Sequence, residues 1–250
     1  MIMIQVIDVH KSFGKQKVLN GVHLTMEEGK TTVIIGRSGG GKSVLLKHLI
    51  GLLKPDHGQV VVDGIDITPL NDRDLNEIRK KFGMLFQEAA LFDSLTVGDN
   101  VAFPLREHTK MKEEDIRVTV ADRLRAVGLS GVEGKMPSEL SGGMRKRVGL
   151  ARAIAMRPKI VLFDEPTTGL DPIMTEAINQ LIVDTQKSFN LTCVVISHDL
   201  QSIFKIGHHI AMLYEGEIIA YGSPDDIQTS ENPVIRQFLA GSTDGPIRVL

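Results

Sequence analysis

Cysteine is almost missing from the 250-residue chain: Cys193 is the single one, set inside the apolar run CVVI. A lone thiol makes no internal disulfide and no cysteine-rich metal centre. It reads as a small buried hydrophobe, compatible with a reducing, cytosolic setting. Long apolar runs are missing too. No stretch approaches the roughly 18 consecutive apolar residues of a membrane-spanning helix. The opening MIMIQVIDVHKS lacks the charged-then-apolar layout of a secretion signal, so a soluble chain is expected. Neither sign of charge dominates, since 29 basic residues against 31 acidic ones leave a formal net charge of -2. This excludes a strong basic field for nucleic acid and directs the search for partners to local sites. Internal repeats and low-complexity runs are absent, and glycine and proline are scattered as turns instead of gathered into a linker.

What is present is enough apolar material, 42% of residues, for a sizeable core. Short β-branched runs alternate with helical patterns: MIQVIDV, TTVIIG, QVVVDG, GMLFQ, KIVLFD, TCVVIS and HIAMLY read as strands of an α/β sheet. KSVLLKHLIGLL reads as a helix that PDHG ends. Between Glu88 and Pro158 strand signals stop. Ile116, Val120, Leu124 and Val127 recur at helical spacing, and a second helix starts after SELS and runs through GGMRKRVGLARAIAM. The expected organisation is one domain, 1–250, with an α/β core over 1–87 and 159–250 and an inserted α-helical subdomain over 88–158. Arg145, Lys146 and Arg147 are expected to form a solvated helix face.

GRSGGGKS, Gly36 to Ser43, fits the pattern G-x-x-x-x-G-K-[ST] and stands between a strand, TTVIIG, and a helix, KSVLLKHL. Glycines let backbone N–H groups turn inward around phosphates, and the positive end of the following helix adds to the field. Lys42 is expected to reach the β- and γ-phosphates and Ser43 to bind Mg2+. IVLFDEP puts two acids at the end of an apolar strand, where Asp164 suits Mg2+ and Glu165 suits polarising a water. His198 follows a further apolar strand at the sheet's carboxyl edge; a lone histidine there is more often a structural residue than a ligand contact. Gln87 offers an amide fit either for Mg2+ or for capping a strand.

In order along the chain, GRSGGGKS, Gln87, LSGGM, IVLFDE, GLDP and SHD resemble the ATP-binding cassette family over nearly its whole length. The resemblance implies a P-loop NTPase (RecA-like) sheet core with an inserted helical subdomain, and an ATPase using ATP and Mg2+. It implies that Phe13 stacks on adenine and that Gly36, Arg37, Ser38, Gly39, Gly40, Gly41 and Lys42 bind the phosphates. Ser43, Gln87 and Asp164 then serve the metal, and Glu165 and His198 serve catalysis. The resemblance further implies that two copies pair head to tail, so that Ser141, Gly142 and Gly143 of one chain close over ATP held by the other, while Asp171 links the opposing sites. The signature departs from the family at Met144, where glutamine is usual. The phosphate-facing atoms, from Ser141 and the backbone, remain.

ALFDSLTVGDNVAFPLREHT, MPSELSGGM and RQFLAGSTDGP are similar to the ATPases of Mla-type phospholipid transport systems. That branch implies phospholipid cargo moved between inner and outer membranes, and a position peripheral to the cytoplasmic face of the inner membrane. The implied partners are a multi-pass permease of the Mla kind, an MCE-domain lipid-binding protein and a small STAS-domain protein, with no nucleic acid. Ala89, Ala90, Leu91, Phe92, Leu95, Val97, Phe103 and Leu105 supply apolar surface either for a groove that takes a permease helix or for the lobe's own core. Relatives with a longer tail beyond DGP use it to help hold the dimer, whereas this sequence stops at Leu250. Competing expectations are an importer of amino acids or metals and a non-transport cassette. A GTPase is disfavoured because no N-K-x-D motif occurs.

Overall fold

Alternating burial builds the first two strands, β1 (Ile2–Phe13) and β2 (Gln16–Glu27), in which Ile4, Val6 and Val9 face the same core as Val22, Leu24 and Met26. They pair antiparallel from Ile2↔Glu27 to Phe13↔Gln16. The computed structural model describes residues 1–247. The final positions of the short tail, 248–250, lie outside the described residues. Two units divide the chain, Met1–Leu70 with the stretch from Ile196 onward, and Asn71–Val195.

In the first unit β3 (Thr31–Ile35), buried at every position, leads into α1 (Lys42–Leu49). The strands β4 (His57–Val62) and β5 (Ile65–Asp66) complete an antiparallel sheet in the order β2-β1-β4-β5. Strand β2 escapes a reading of the sequence because Asn20-Gly21 carries the signature of a hairpin turn. Here the pair sits inside the strand. Between the partners Val9↔Val22 and Lys11↔Leu19, β2 holds one residue more than β1, and Gly21, at φ 75, absorbs the bulge.

The second unit opens with α2 (Asp72–Arg79), whose first turn is capped by Asn71 accepting from the Asp74 N–H. Strand β6 (Phe82–Leu85) is followed by three α-helices, α3 (Val97–His108), α4 (Glu113–Ala126) and α5 (Gly142–Ala153). Then come β7 (Ile160–Asp164), α6 (Pro172–Phe189) and β8 (Thr192–Ile196). β6 and β7 run parallel, from Phe82↔Ile160 to Leu85↔Phe163, and β8 lies on the other side of β7. Gly83 lets α5 lie directly on β6, since an added Cβ would overlap the Ala153 carbonyl oxygen. Two helices were legible in this region from periodicity; α3 was not, because Pro104 sits inside it and breaks the helical signature.

The chain then returns to the first unit through α7 (Leu200–Ile206), β9 (His209–Tyr214), β10 (Glu217–Gly222), α8 (Pro224–Gln228) and α9 (Pro233–Ala240). β9 pairs parallel to β3, from Thr32↔His209 to Ile35↔Met212, and antiparallel to β10. Among the described residues no helix is long and apolar enough to cross a membrane. Cys193 is buried in β8, as a small hydrophobe would be.

Buried Asn100 in α3 fixes the loop ahead of its own helix. Its Oδ1 accepts from the Phe92 N–H at 2.8 Å, and its Nδ2 donates to the carbonyls of Phe92, Leu95 and Thr96 at 3.0–3.1 Å. Truncation takes these partners from the part-buried Phe92 N–H and Leu95 carbonyl and leaves a space at buried position 100, which costs about 3 kcal/mol and, for a chain of this size, roughly 6–12 °C in Tm. Asn100→Ala is therefore expected to melt lower by that margin in a calorimetric scan, and an unchanged Tm would show that the loop holds itself.

Candidate nucleotide site

The phosphate loop starts where buried β3 ends. Gly36, at φ 144, lies so close to β9 that an added Cβ would overlap the Leu213 carbonyl oxygen. Gly41, at φ 96, forms the left-handed N-cap of α1. Gly39, at φ 74, has nothing within 4 Å of where a Cβ would sit, so the loop has open space on that side. The Lys42 amine, on a residue only 8% exposed, donates to the carbonyls of Gly36 and Arg37, each at 2.8 Å. It is thus held across the loop by the loop itself. Arg37, Ser38, Gly39 and Ser43 are exposed, Gly40 is half-buried, and no acid stands in the first turn of α1. A cation, a hydroxyl and the N-terminus of a helix of this kind suit polyphosphate. In the same unit Phe13 is exposed at the end of β1 with the Lys11 amine 5.8 Å from its ring centroid, and His198 is exposed just ahead of α7.

The acids belong to the other unit. β7 ends on Asp164, and Glu165 follows in the left-handed region at φ 50, a conformation that costs a non-glycine residue energy and concentrates at functional sites. The Thr168 hydroxyl donates to Glu165 Oε2 at 3.3 Å. Gln87 is exposed just past β6, so its amide is presented outward, while its carbonyl accepts from the Lys146 amine. The same amine reaches the Glu165 carbonyl at 3.5 Å.

Lys146 corrects the sequence reading of Arg145–Lys146–Arg147 as a solvated face. It is 5% exposed, because α5 is packed by α3, α4 and β6 and has little free perimeter. Burial pushes its amine below the usual lysine range, with Glu88 and Glu165 opposing that shift. Its neighbours are also engaged: Arg145 donates to the Leu140 carbonyl at 3.0 Å and Arg147 to that of Val127 at 2.8 Å. No signal in the sequence pairs Lys146 with a backbone group 59 positions earlier.

Ser141 caps α5, its Oγ accepting from the Met144 N–H at 3.3 Å. Gly143 lies against Met174, whose flexible Cε end would have to move aside for an added Cβ, and Gly142 faces Leu170. Asp171 caps α6, accepting from the N–H groups of Ile173 and Met174 at 3.0 Å each. The start of α5 therefore leans on the first turn of α6. Phe13, the phosphate loop and His198 lie in one unit, and Gln87, Ser141, Gly142, Gly143, Asp164, Glu165 and Asp171 in the other. Taken one by one, the Ser43 hydroxyl in the first unit and the Gln87 amide and Asp164 carboxylate in the second offer oxygen ligands of the kind Mg2+ takes.

A sequence profile described as ABC transporter matches residues 19–168. The chain is 44% identical over 246 residues to an intermembrane phospholipid transport system ATP-binding protein, MlaF, of Haemophilus influenzae, covering 98% of this chain and 93% of that one. Identity to its Escherichia coli K12 counterpart is 42%, covering 98% and 91%. A probable ribonucleotide transport ATP-binding protein, mkl, of Mycobacterium tuberculosis is 46% identical, covering 98% of this chain and 68% of its own. Among solved structures, a dimeric ATP-binding cassette in a post-hydrolysis state, bound to ADP and Pi, superposes with a TM-score of 0.81 at 34% identity, covering 89% of this chain and 99% of that one. The structure of cbiO1 from Clostridium perfringens gives 0.85 at 28% identity, covering 95% of each. With the family profile spanning more than half of its length and such relatives along nearly all of it, the chain belongs to the ATP-binding cassette transporter ATPases.

Proposed function

We propose that the chain is the ATP-hydrolysing motor subunit of a transporter that moves phospholipid between the inner and outer membranes. It acts at the cytoplasmic face of the inner membrane with a permease of the Mla kind, an MCE-domain lipid-binding protein and a STAS-domain protein. The observation that carries this reading is end-to-end similarity, over 98% of the chain, to two ATP-binding proteins named for intermembrane phospholipid transport. Residues 1–87 and 159–250 form the nucleotide-binding core, and 88–158 the helical subdomain. Phe13 stacks on adenine, Gly36 to Gly41 and Lys42 hold the phosphates, and Ser43, Gln87 and Asp164 hold Mg2+. When bound, Mg2+ neutralises charge that develops on the phosphate oxygens. Glu165 takes the proton of the attacking water, and His198 orients toward the γ-phosphate. Ser141, Gly142 and Gly143 are supplied by a second, head-to-tail copy, with Asp171 at the junction; that a cassette of similar fold is dimeric supports the pairing of two copies.

A groove of about 440 Å3 supports a permease contact. Phe86, Phe92 and Phe103, all substantially exposed, line it with Met84, His108 and Arg152. The rings of Phe92 and Phe103 meet at 4.9 Å. Ala90, Phe92 and Phe103 thus supply groove surface, while Ala89, Val97 and Leu105 are core. An amphipathic helix presenting apolar side chains fits such a lining. A nucleotide cargo is the second reading, favoured by the 46% identity to the probable ribonucleotide transport protein.

Glu165→Gln keeps shape and loses the base, so ATP turnover is expected to fall by about 100-fold or more while ATP still binds and a dimer accumulates in light scattering. Turnover at the parent rate would remove Glu165 from that role. Mixing Lys42→Ala with Ser141→Ala chains leaves one intact composite pocket in each mixed dimer, so activity absent from either alone should return; a mixture as inactive as its components refutes shared pockets. Cargo is decided by purification from native membranes with mass spectrometry: co-isolation of a permease, an MCE-domain protein and phospholipid is expected, and a permease loaded with nucleotide instead would establish the second reading.

A further inference from the structure

In the unit that carries the phosphate loop, three histidines converge on one aspartate, on the antiparallel sheet. Asp8 and His10 lie in β1, His23 in β2 and His57 at the start of β4. His10 Nε2 is 3.1 Å from Asp8 Oδ1, His57 Nδ1 is 3.2 Å from Oδ2, and His23 Nε2 is 3.7 Å from Oδ1. One donor atom each from Asp8, His10 and His57 falls within 4.8 Å of the others. A tetrahedral ion bound at ~2.0–2.1 Å sets its ligands about 3.3–3.4 Å apart; the two histidine–Asp8 pairs stand near that spacing, on opposite oxygens of the carboxylate, and side-chain rotation brings the three donors from within 4.8 Å onto one ion.

The backbone is bent to make this cluster. Asp8 takes φ 50 in the middle of a strand, and the register of β1 slips there against both neighbours, between Val6 and Val9 on the β2 side and between Ile7 and His10 on the β4 side. Each neighbouring strand meets the bulge with a glycine. At Gly58, φ 92, an added Cβ would overlap the Asp8 carbonyl oxygen; at Gly21 it would sit 3.4 Å from Asp8 Oδ1 and 3.5 Å from His10 Nε2. The hydrogen bond from His10, with the His57 and His23 rings nearby, holds the Asp8 carboxyl below its usual range, which keeps it an anionic ligand.

We propose that Asp8, His10 and His57, with exposed His23 at the rim beside the Asp8 carboxylate, form a surface site for a divalent transition ion of the Zn2+ type, joining β1 and β4 next to β2. Imidazole nitrogens with a single carboxylate oxygen select Zn2+, Ni2+ or Cu2+, whereas Mg2+ takes oxygen ligands, so this site is chemically separate from the one that serves ATP. His23 and His57 are largely exposed, and an ion reaches the site without any opening of the sheet.

The test uses the full chain without a polyhistidine tag, stripped with chelator and free of nucleotide. Calorimetric titration with Zn2+ is expected to give one ion per chain with saturable, micromolar or tighter binding, unaffected by excess Mg2+. Co2+ should develop the intense visible bands of a four-coordinate ion, and saturating Zn2+ should raise Tm. Asp8→Asn retains a residue tolerated at positive φ. It and His10→Ala should each weaken binding by more than the tenfold or so that even an outer-shell loss costs. Absence of saturable one-to-one binding, or binding that both variants leave intact, overturns the site and leaves a cluster that shares only protons.

Discussion

One buried ammonium holds together the parts of the second unit that matter for chemistry. Lys146 projects from α5 and donates to the carbonyls of Gln87 and Glu165, so the helix that begins with Ser141, the residue that faces outward past β6 and the acid after β7 share one cation. Burial of a lone charge is costly, and the groups that offset it here are backbone oxygens with Glu88 and Glu165 nearby. Arg152, further along the same helix, does for the next residues what Lys146 does for Gln87. It donates to the carbonyls of Ala89 and Ala90 at 2.7 and 2.8 Å, and both alanines sit in the left-handed region. The stretch from Gln87 to Ala90 is thus clamped to α5 from beneath at successive points. Ala90, Phe92 and Arg152 also line the apolar groove. On the proposed reading, a helix seated in that groove and a nucleotide felt by Gln87 act on one short segment with α5 as its backing.

The phosphate loop is governed by a different constraint. Its shape is set by where a Cβ fits: there is no room at Gly36, against the Leu213 carbonyl, and a left-handed backbone at Gly39 and Gly41. Lys42 is held inside by the carbonyls of Gly36 and Arg37, which places its charge in the loop ahead of any ligand and spares the ordering of a long flexible side chain when a phosphate arrives.

This difference explains what could be read from the sequence. The phosphate loop was legible because its chemistry is local: eight contiguous residues contain the glycines, amine and hydroxyl, and the flanking strand and helix are regular. The acids at Asp164 and Glu165 were legible for the same reason, at the end of an apolar strand. Lys146 was not, because a basic triplet inside a helix looks solvated unless the helix is known to be covered on several sides. The Asp8 cluster was hidden more deeply, since its members come from three strands and meet only through a bulge that no periodicity announces. Strand β2 and helix α3 were lost to single residues, Gly21 and Pro104, whose usual meaning as breakers was overridden by tertiary pairing and packing.

On the proposed reading, Ser141 serves both stability and recognition. A hydroxyl carries one donor and two acceptor sites, and capping the Met144 N–H uses an acceptor. The O–H itself is left to donate to a phosphate oxygen, and the residue is exposed at the start of the helix, where the field favours an anion. Aspartate at this position would cap equally well and repel the phosphate, while alanine would lose both contacts. The same geometry bears on Met144, which stands where the family resemblance implies glutamine. What this position gives the helix start is its backbone N–H, taken up by Ser141, and that group does not depend on the side chain. A signature ending in methionine therefore preserves the capped turn and the serine hydroxyl.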